Sequence, residues 1–412
     1  MTRGVAVALA LCALWTCAGR YPGADADPIV ILVSFDGFRW DYDARYPAPN
    51  LRRLAARGVR AEALVPAFPS KTFPNHYTLV TGLYPGHHGI VANTLRDPAT
   101  GRVGTLMRPE HAQDSRWWSG PADPLWVTIE RQGMVAAAMF WPGTEAAING
   151  VRPRYWHPFD DGYPATARIE QVLTWVDLPS AERPRLITLY FSDVDSAGHD
   201  DGPGSPETRE AVSRVDGYLG ALMGGLDSRG LLEQVNLVVT SDHGMAATSS
   251  DRVVVVDDYV ELADGEVVEI NPTLGIAPRP GREDAIYGAL SGAHPRLRVY
   301  RRAETPAHWH YRDHPRIPEI VGVVDEGWQI LRRSALQPLG AATARGAGGQ
   351  HGYDPHVRSM HGIFVAAGPA FKAGVGVPAF ESVHVYNALA MALDLTPEPN
   401  DGDPAIARAL LR

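Results

Sequence analysis

Thr72 stands in the run Phe68-Pro69-Ser70-Lys71-Thr72-Phe73-Pro74-Asn75-His76, which reads as a loop turning into a helix. Pro74 has no N–H to donate and a fixed φ that suits a first helical residue, so the sequence predicts a helix starting there with Thr72 just ahead. Unpaired N–H groups and the positive end of the helix dipole favour an anion at such a place, whether phosphate or an ionised hydroxyl. A free threonine hydroxyl is a poor nucleophile and needs an adjacent base or a metal ion to activate it. The rest of the chain supplies metal-ligand types. Asp36 follows an apolar run, Asp242-His243 follows another, Asp195 and His199 are spaced i, i+4, and His351 lies in Gly348-Gly349-Gln350-His351-Gly352. Three carboxylates with three imidazoles suit zinc or another transition metal better than calcium, which prefers oxygen throughout. With Thr72, these are the materials of a two-metal phosphoryl-transfer site.

Any one of these residues has a plainer use, since an aspartate after a strand often caps a turn and a lone histidine is often just a loop residue. Their joint placement is what carries weight. Ile29 to Phe35 is an apolar run broken only by Ser34 and ending at Asp36-Gly37, the pattern of a strand buried on both faces. Asn50 to Arg57 has Leu51, Leu54 and Ala55 at helical spacing, closed by Gly58, and Val59 to Val65 is the next strand. Asp123-Pro124 opens a helix that Gly133 ends before a strand at Val135 to Phe140. A helix near Thr166 to Trp175, a strand from Leu186 to Phe191, a helix introduced by Ser205-Pro206 and a strand from Val235 to Thr240 continue the alternation. The fold class is therefore α/β, a mainly parallel sheet with helices on both faces. Chemistry in such folds gathers beyond the strand C-termini, where Asp36, Asp195 and Asp242 fall. Short strand candidates around one helix at about 255–345 break the rhythm and predict a small inserted α+β subdomain. A strand at Gly362 to Ala367 and a final helix near Ser382 to Leu393 complete the core.

Composition narrows the function. A formal net charge of -9 over 412 residues gives no basic face for a nucleic-acid backbone. Arg3, an apolar run from Val5 to Trp15 and the small residues Ala18 and Gly19 read as an export signal too short to span a bilayer, with cleavage after Ala18 or after the Ala24-Asp25-Ala26 triplet. Residues 1–26 are accordingly expected to be a signal peptide, and 27–412 a catalytic chain that is periplasmic or secreted. Both cysteines, Cys12 and Cys17, lie in the leader, so the cleaved chain would hold no thiol; a lipid anchor on Cys17 is the weaker alternative. His308, Trp309, His310 and His314 crowd the insert without an acid at convincing spacing, and read as structural or pocket-wall residues.

Lys71 to Tyr77, the stretch Val80-Thr81-Gly82-Leu83-Tyr84-Pro85-Gly86-His87-His88-Gly89-Ile90 with Asn93, Phe140-Trp141-Pro142-Gly143, Tyr190 to His199, Ser241 to Met245 and His351-Gly352-Tyr353-Asp354 together resemble the nucleotide pyrophosphatase/phosphodiesterase family of the alkaline phosphatase superfamily. The resemblance covers essentially the whole chain after the leader and implies an alkaline-phosphatase-like core. By position it makes Asp36, Thr72, Asp242 and His243 ligands of one zinc ion and Asp195, His199 and His351 ligands of a second, with Thr72 the nucleophile. Asn93 would donate to a phosphate oxygen, and Phe73 and Tyr190 would enclose a nucleotide base. The implied activity is release of a nucleoside 5'-monophosphate from nucleotides and diesters. Alternatives are a phospholipid or choline-phosphate diesterase, which needs an aromatic cage for a quaternary ammonium, and a nucleotide-binding protein without catalysis. A phosphomonoesterase lacks an arginine near Thr72, and a sulfatase lacks a cysteine in the cleaved chain. Asp193 competes with Asp195 but has the wrong spacing to His199. Lys71, one of two lysines among 38 basic residues, stands next to the nucleophile with no assigned role.

Overall fold

The computed structural model describes residues 27–118, 120–336 and 348–412; the expected leader, with both cysteines, and the end of the expected insert lie outside them. An eight-stranded sheet forms the centre, in the order Val375–Val377, Val59–Ala61, Phe364–Ala367, Val235–Thr240, Ile29–Phe35, Leu186–Phe191, Ala136–Met139 and Tyr155–Trp156. Ile29–Phe35 pairs in parallel with both neighbours, and only Phe364–Ala367 runs against the rest. Strand geometry sends successive side chains to opposite faces. Val30 and Leu32 thus join a core beneath the helices Thr72–Thr81, Leu125–Arg131 and Val385–Ala392, whereas Ile31 and Val33 join another beneath Ala165–Val176 and Pro206–Asp227. The α/β architecture with helices on both faces is the one expected.

Three boundaries differ for identifiable reasons. The helix after the Ser70 loop begins at Thr72, two residues before Pro74. The first four N–H groups of a helix have no intrahelical acceptor, so proline is as harmless at the third position as at the first. The strand at 59–65 divides into Val59–Ala61 and Leu64–Val65. At the C-terminal end, a 3-10 turn at Ser382–His384 leads into Val385–Ala392, and a further helix, Pro404–Leu410, follows. Its signal was Asp403-Pro404: the Asp403 carboxylate accepts the Ala405 N–H at 2.7 Å, capping the helix.

The strands Gly265–Glu269, Thr273–Pro278, Ile320–Val324 and Leu297–Arg301 make a separate antiparallel sheet, packed on the helix Glu283–Leu290 around Leu274, Ile276, Ile286 and Ile320. Thr273–Pro278, central in that sheet, was not foreseen, because Pro272 and Pro278 bracket it and Gly275 interrupts it.

The helix Pro49–Arg57 has Ala48 at its cap position and no side-chain cap of its own. Asp216, buried on Pro206–Asp227, substitutes for one by accepting the N–H groups of Asn50 and Leu51 at 3.1 and 2.8 Å and the Asn50 amide at 2.9 Å. Asp216→Ala leaves the two N–H groups without a partner, the Asn50 amide keeping Asp216 O at 3.1 Å, and is expected to cost about 2–3 kcal/mol. Urea unfolding measures this; a loss below about 0.5 kcal/mol, the level of an ordinary surface change, would contradict it.

Candidate active site

Asp36, Asp195, Asp242, His199, His243 and His351 converge at the strand ends, and Thr72 faces them. The Asp36 and Asp242 carboxylates and His243 each present a ligand atom within 4.8 Å of the others, and Asp195, His243 and His351 form a second such group. His243 Nε2 lies 3.0 Å from Asp242 Oδ2, 3.4 Å from Asp36 Oδ1 and 3.3 Å from Thr72 Oγ1. Asp195 Oδ1 is 3.5 Å from both His199 Nε2 and His351 Nε2, and those two nitrogens are 3.0 Å apart.

Backbone carbonyls set the polarity of the imidazoles. His199 Nδ1 meets Gly349 O at 3.0 Å, His243 Nδ1 meets Gly244 O at 2.9 Å, and His351 Nδ1 meets Ser70 O at 2.9 Å. A carbonyl can only accept, so each Nδ1 carries the proton and each neutral ring turns a bare Nε2 lone pair inward. Asp36 Oδ1, Asp195 Oδ1 and Asp242 Oδ2 are buried and have no hydrogen-bond partner. Three orphaned carboxylate oxygens facing three lone pairs form a set of acceptors without donors, which is what a cation site requires.

The charges point the same way. Burial, followed by the Asp242 and Asp195 carboxylates, pushes Asp36 well above the ordinary carboxylate range; burial also raises Asp195, against the pull of His199 and His243. Burial would raise Asp242 too, but His243 and His76 outweigh it and hold this carboxyl well below its usual range. Burial depresses His243, yet Asp242 and Asp195 lift it above its ordinary value, so a proton there is the alternative to a cation. Burial, then His243 and His199, hold His351 well below its normal value and therefore neutral.

Local backbone explains the convergence. Asp36 directly follows the strand ending at Phe35, and Gly37 comes next at φ 69°; a β-carbon there would sit 2.9 Å from Asp195 Cα, so only glycine lets the two aspartates approach. Asp195 and His199 share a face of the helix Asp193–Asp201. Ser241 donates to Phe38 O at 2.8 Å and accepts from Ile363 N at 3.0 Å, tying three strand ends together beside Asp242. Thr72, the first residue of its helix, is half-buried at the open side.

The remaining candidates fall around this centre. Asn93 Oδ1 accepts the Phe73 N–H at 3.1 Å, which orients the amide and leaves its NH2 end for another acceptor. Phe73 is half-buried against Trp118. Tyr190, only 8% exposed, donates its hydroxyl to Asp36 Oδ2 at 2.6 Å. Asp193 turns away to Arg214 at 3.4 Å. Lys71 is buried and pairs with Glu269 and with Asn271 O, so it ties the Thr72 loop to the insert. Two residues went unnoticed in the sequence. His76, fully buried, lies 3.3 Å from Asp242 Oδ2 and 2.9 Å from Thr72 O; its i+4 spacing from Thr72 was the available signal. Phe159, 47% exposed, stands 5.9 Å from the Tyr190 ring, and no local pattern marks it.

The family model for type I phosphodiesterase / nucleotide pyrophosphatase matches residues 30–354. The chain belongs to this family. Human ectonucleotide pyrophosphatase/phosphodiesterase family member 5 is 38% identical over 90% of this chain and 76% of its own length. The bis(5'-adenosyl)-triphosphatase enpp4 of Xenopus laevis is 35% identical over 96% and 84%. The structure of murine ectonucleotide pyrophosphatase / phosphodiesterase 5, an inactive threonine-to-alanine variant in complex with AMP, superposes with a TM-score of 0.87 at 38% identity, covering 94% of this chain and all of that one. The protein is thus a hydrolase of the nucleotide pyrophosphatase/phosphodiesterase type, and its acidic and imidazole cluster can hold metal. Among the described residues no helix is long and apolar enough to cross a membrane.

Cations bound by the folded centre alone stabilise it by mass action, about 2.7 kcal/mol at a hundredfold excess over Kd. Zinc added back to chelator-treated protein is expected to raise the melting temperature by several degrees; an unchanged transition would contradict the donor count.

Proposed function

We propose that the protein is an exported two-zinc phosphodiesterase that uses Thr72 as nucleophile and releases nucleoside 5'-monophosphates from nucleotides and diesters. The observation that carries this reading is the position of Thr72 Oγ1, 3.3 Å from His243 Nε2, at the rim of a buried set of acceptors that lacks donors. Asp36, Asp242 and His243 with Thr72 would hold one ion, and Asp195, His199 and His351 the other. When bound, the pair lowers the pKa of hydroxyl and water and neutralises charge on the attacking and leaving oxygens.

The residues themselves do the rest. Thr72 Oγ1 attacks phosphorus in line with the leaving oxygen; a P–O bond to threonine forms as the bond to the leaving group breaks, and the Thr72 proton passes, through solvent, to the departing oxygen. Water then attacks the phosphothreonine from the vacated side; its oxygen bonds to phosphorus as the threonine P–O bond breaks, and one of its protons returns to Thr72 Oγ1, giving the monophosphate. Asn93, its carbonyl held by Phe73 N, directs its NH2 at a non-bridging oxygen, where charge grows in the transition state. Phe73 and Tyr190 are assigned to the faces of the base, with exposed Phe159 extending the Tyr190 wall. His76 steadies Asp242, and the Tyr190 hydroxyl steadies Asp36. The inactive threonine variant of the murine relative and its AMP complex support both the nucleophile and the product class. Arg3 followed by the apolar run from Val5 to Trp15 supports export.

Thr72→Ala should retain its metal and lose at least about a thousandfold in kcat, as expected when a covalent nucleophile is removed. Full activity in that variant would refute the covalent route. Wild-type protein should turn over ATP faster than glycerophosphocholine, and Phe73→Ala should weaken nucleotides by about 1–3 kcal/mol more than a small aryl diester. Faster glycerophosphocholine cleavage would favour the choline-phosphate reading, and equal losses on both substrate types would remove the stacking role.

A further inference from the structure

His308, in the 3-10 turn Ala307–Trp309, and His356 stack their rings 4.1 Å apart at 8° beside the Asp354 carboxylate, and the acid missing from the insert's histidine cluster thus arrives from 46 residues away. One ligand atom from each of the three lies within 4.8 Å of the other two. Asp354 is fixed before any ligand arrives: its Oδ2 accepts the Trp309 indole N–H at 2.9 Å and its Oδ1 accepts the His356 N–H at 2.9 Å. Burial alone would raise this carboxyl, but the His356 N–H, Trp309 and His308 hold it below the ordinary range, so it is ionised at neutral pH. Trp309 is itself immobilised by stacking on Phe68 at 3.8 Å and 5°.

The His308–Asp354 spacing fits a shared cation better than a hydrogen bond, and exposed His356, now stacked face to face on His308, would turn its ring about χ2 to bring a nitrogen lone pair onto the same ion. His308 Nε2 stands 3.3 Å from Asp354 Oδ2 and 3.4 Å from Oδ1, long for a charge-assisted N–H···O contact, which closes to about 2.7–2.9 Å. Two donors each about 2.05 Å from a tetrahedral ion are separated by about 3.3 Å. His308 and His356 are exposed, so an ion can reach the place from solvent and keep water in its remaining positions. Two imidazoles and one carboxylate suit zinc, copper, nickel or cobalt, and not calcium or magnesium.

We propose that His308, Asp354 and His356 form a third, surface site for a divalent transition metal, separate from the centre at Thr72. Its ligands are none of the seven residues assigned there, so it stands whether or not the two-zinc reading does. The test counts zinc bound per chain at a free zinc concentration that fills the active centre, comparing wild type with His308→Ala/His356→Ala and with His356→Gln. Each variant should bind one equivalent fewer than wild type and keep wild-type diesterase turnover, which also reports that it is folded. Zinc should further shift the imidazole nitrogen resonances of His308 and His356 in the wild-type protein. Equal zinc counts in wild type and a folded variant, or wild-type resonances of these two histidines that do not respond to zinc, would overturn the site.

Discussion

Like charges held together in a buried place are the constraint on which the rest of this structure depends. Asp36 and Asp242 present oxygens within 4.8 Å of one another. At an effective dielectric constant of 20, two such charges repel by about 3–4 kcal/mol, before the cost of leaving water. Among the described residues none donates a hydrogen bond to the three orphaned oxygens. Protons on Asp36 and His243 can offset this cost, and so can cations, which in the proposed mechanism would also make the half-buried Thr72 hydroxyl reactive. In the proposed mechanism stability and chemistry would rest on one set of contacts.

The fold supplies the rigidity that this concentration of charge needs. Ile29–Phe35 is flanked in parallel by Leu186–Phe191 and Val235–Thr240, so three strands end side by side and each passes directly into a segment bearing a site aspartate. The helix at Thr72 enters from the opposite layer, held by Lys71 against Glu269 of the insert. Hydrogen bonds donated by Nδ1–H to backbone carbonyls fix all three rings, which limits the motion by which the cluster could relieve its repulsion. The insert is thus more than an appendage: it buttresses the Thr72 loop through Lys71 and, through Trp309 and Asp354, the segment following His351.

What the sequence made legible follows from how local each signal was. The strands at 29–35, 186–191 and 235–240 are apolar runs bounded by turn residues, and the pattern alone places them. Asp195 and His199 were readable from helical spacing. Strand order was not, because pairing across the sheet depends on contacts far apart in the chain; the reversed strand Phe364–Ala367 leaves no local mark. The role of Lys71 was hidden for the same reason, its partner Glu269 being 198 residues away. Tyr190 was read as an aromatic face for a base, and the reading missed that its hydroxyl would bond Asp36, since a phenol shows its partner only in three dimensions. The resemblance to a family brought the seven residues together on paper; their convergence is a property of the folded chain.

The most direct measurement of the central claim is anomalous diffraction at the zinc edge from crystals of the holoprotein. The account predicts two peaks at the active centre about 4 Å apart, one among Asp36, Thr72, Asp242 and His243 and the other among Asp195, His199 and His351. A single peak, or none within reach of Thr72, would contradict it.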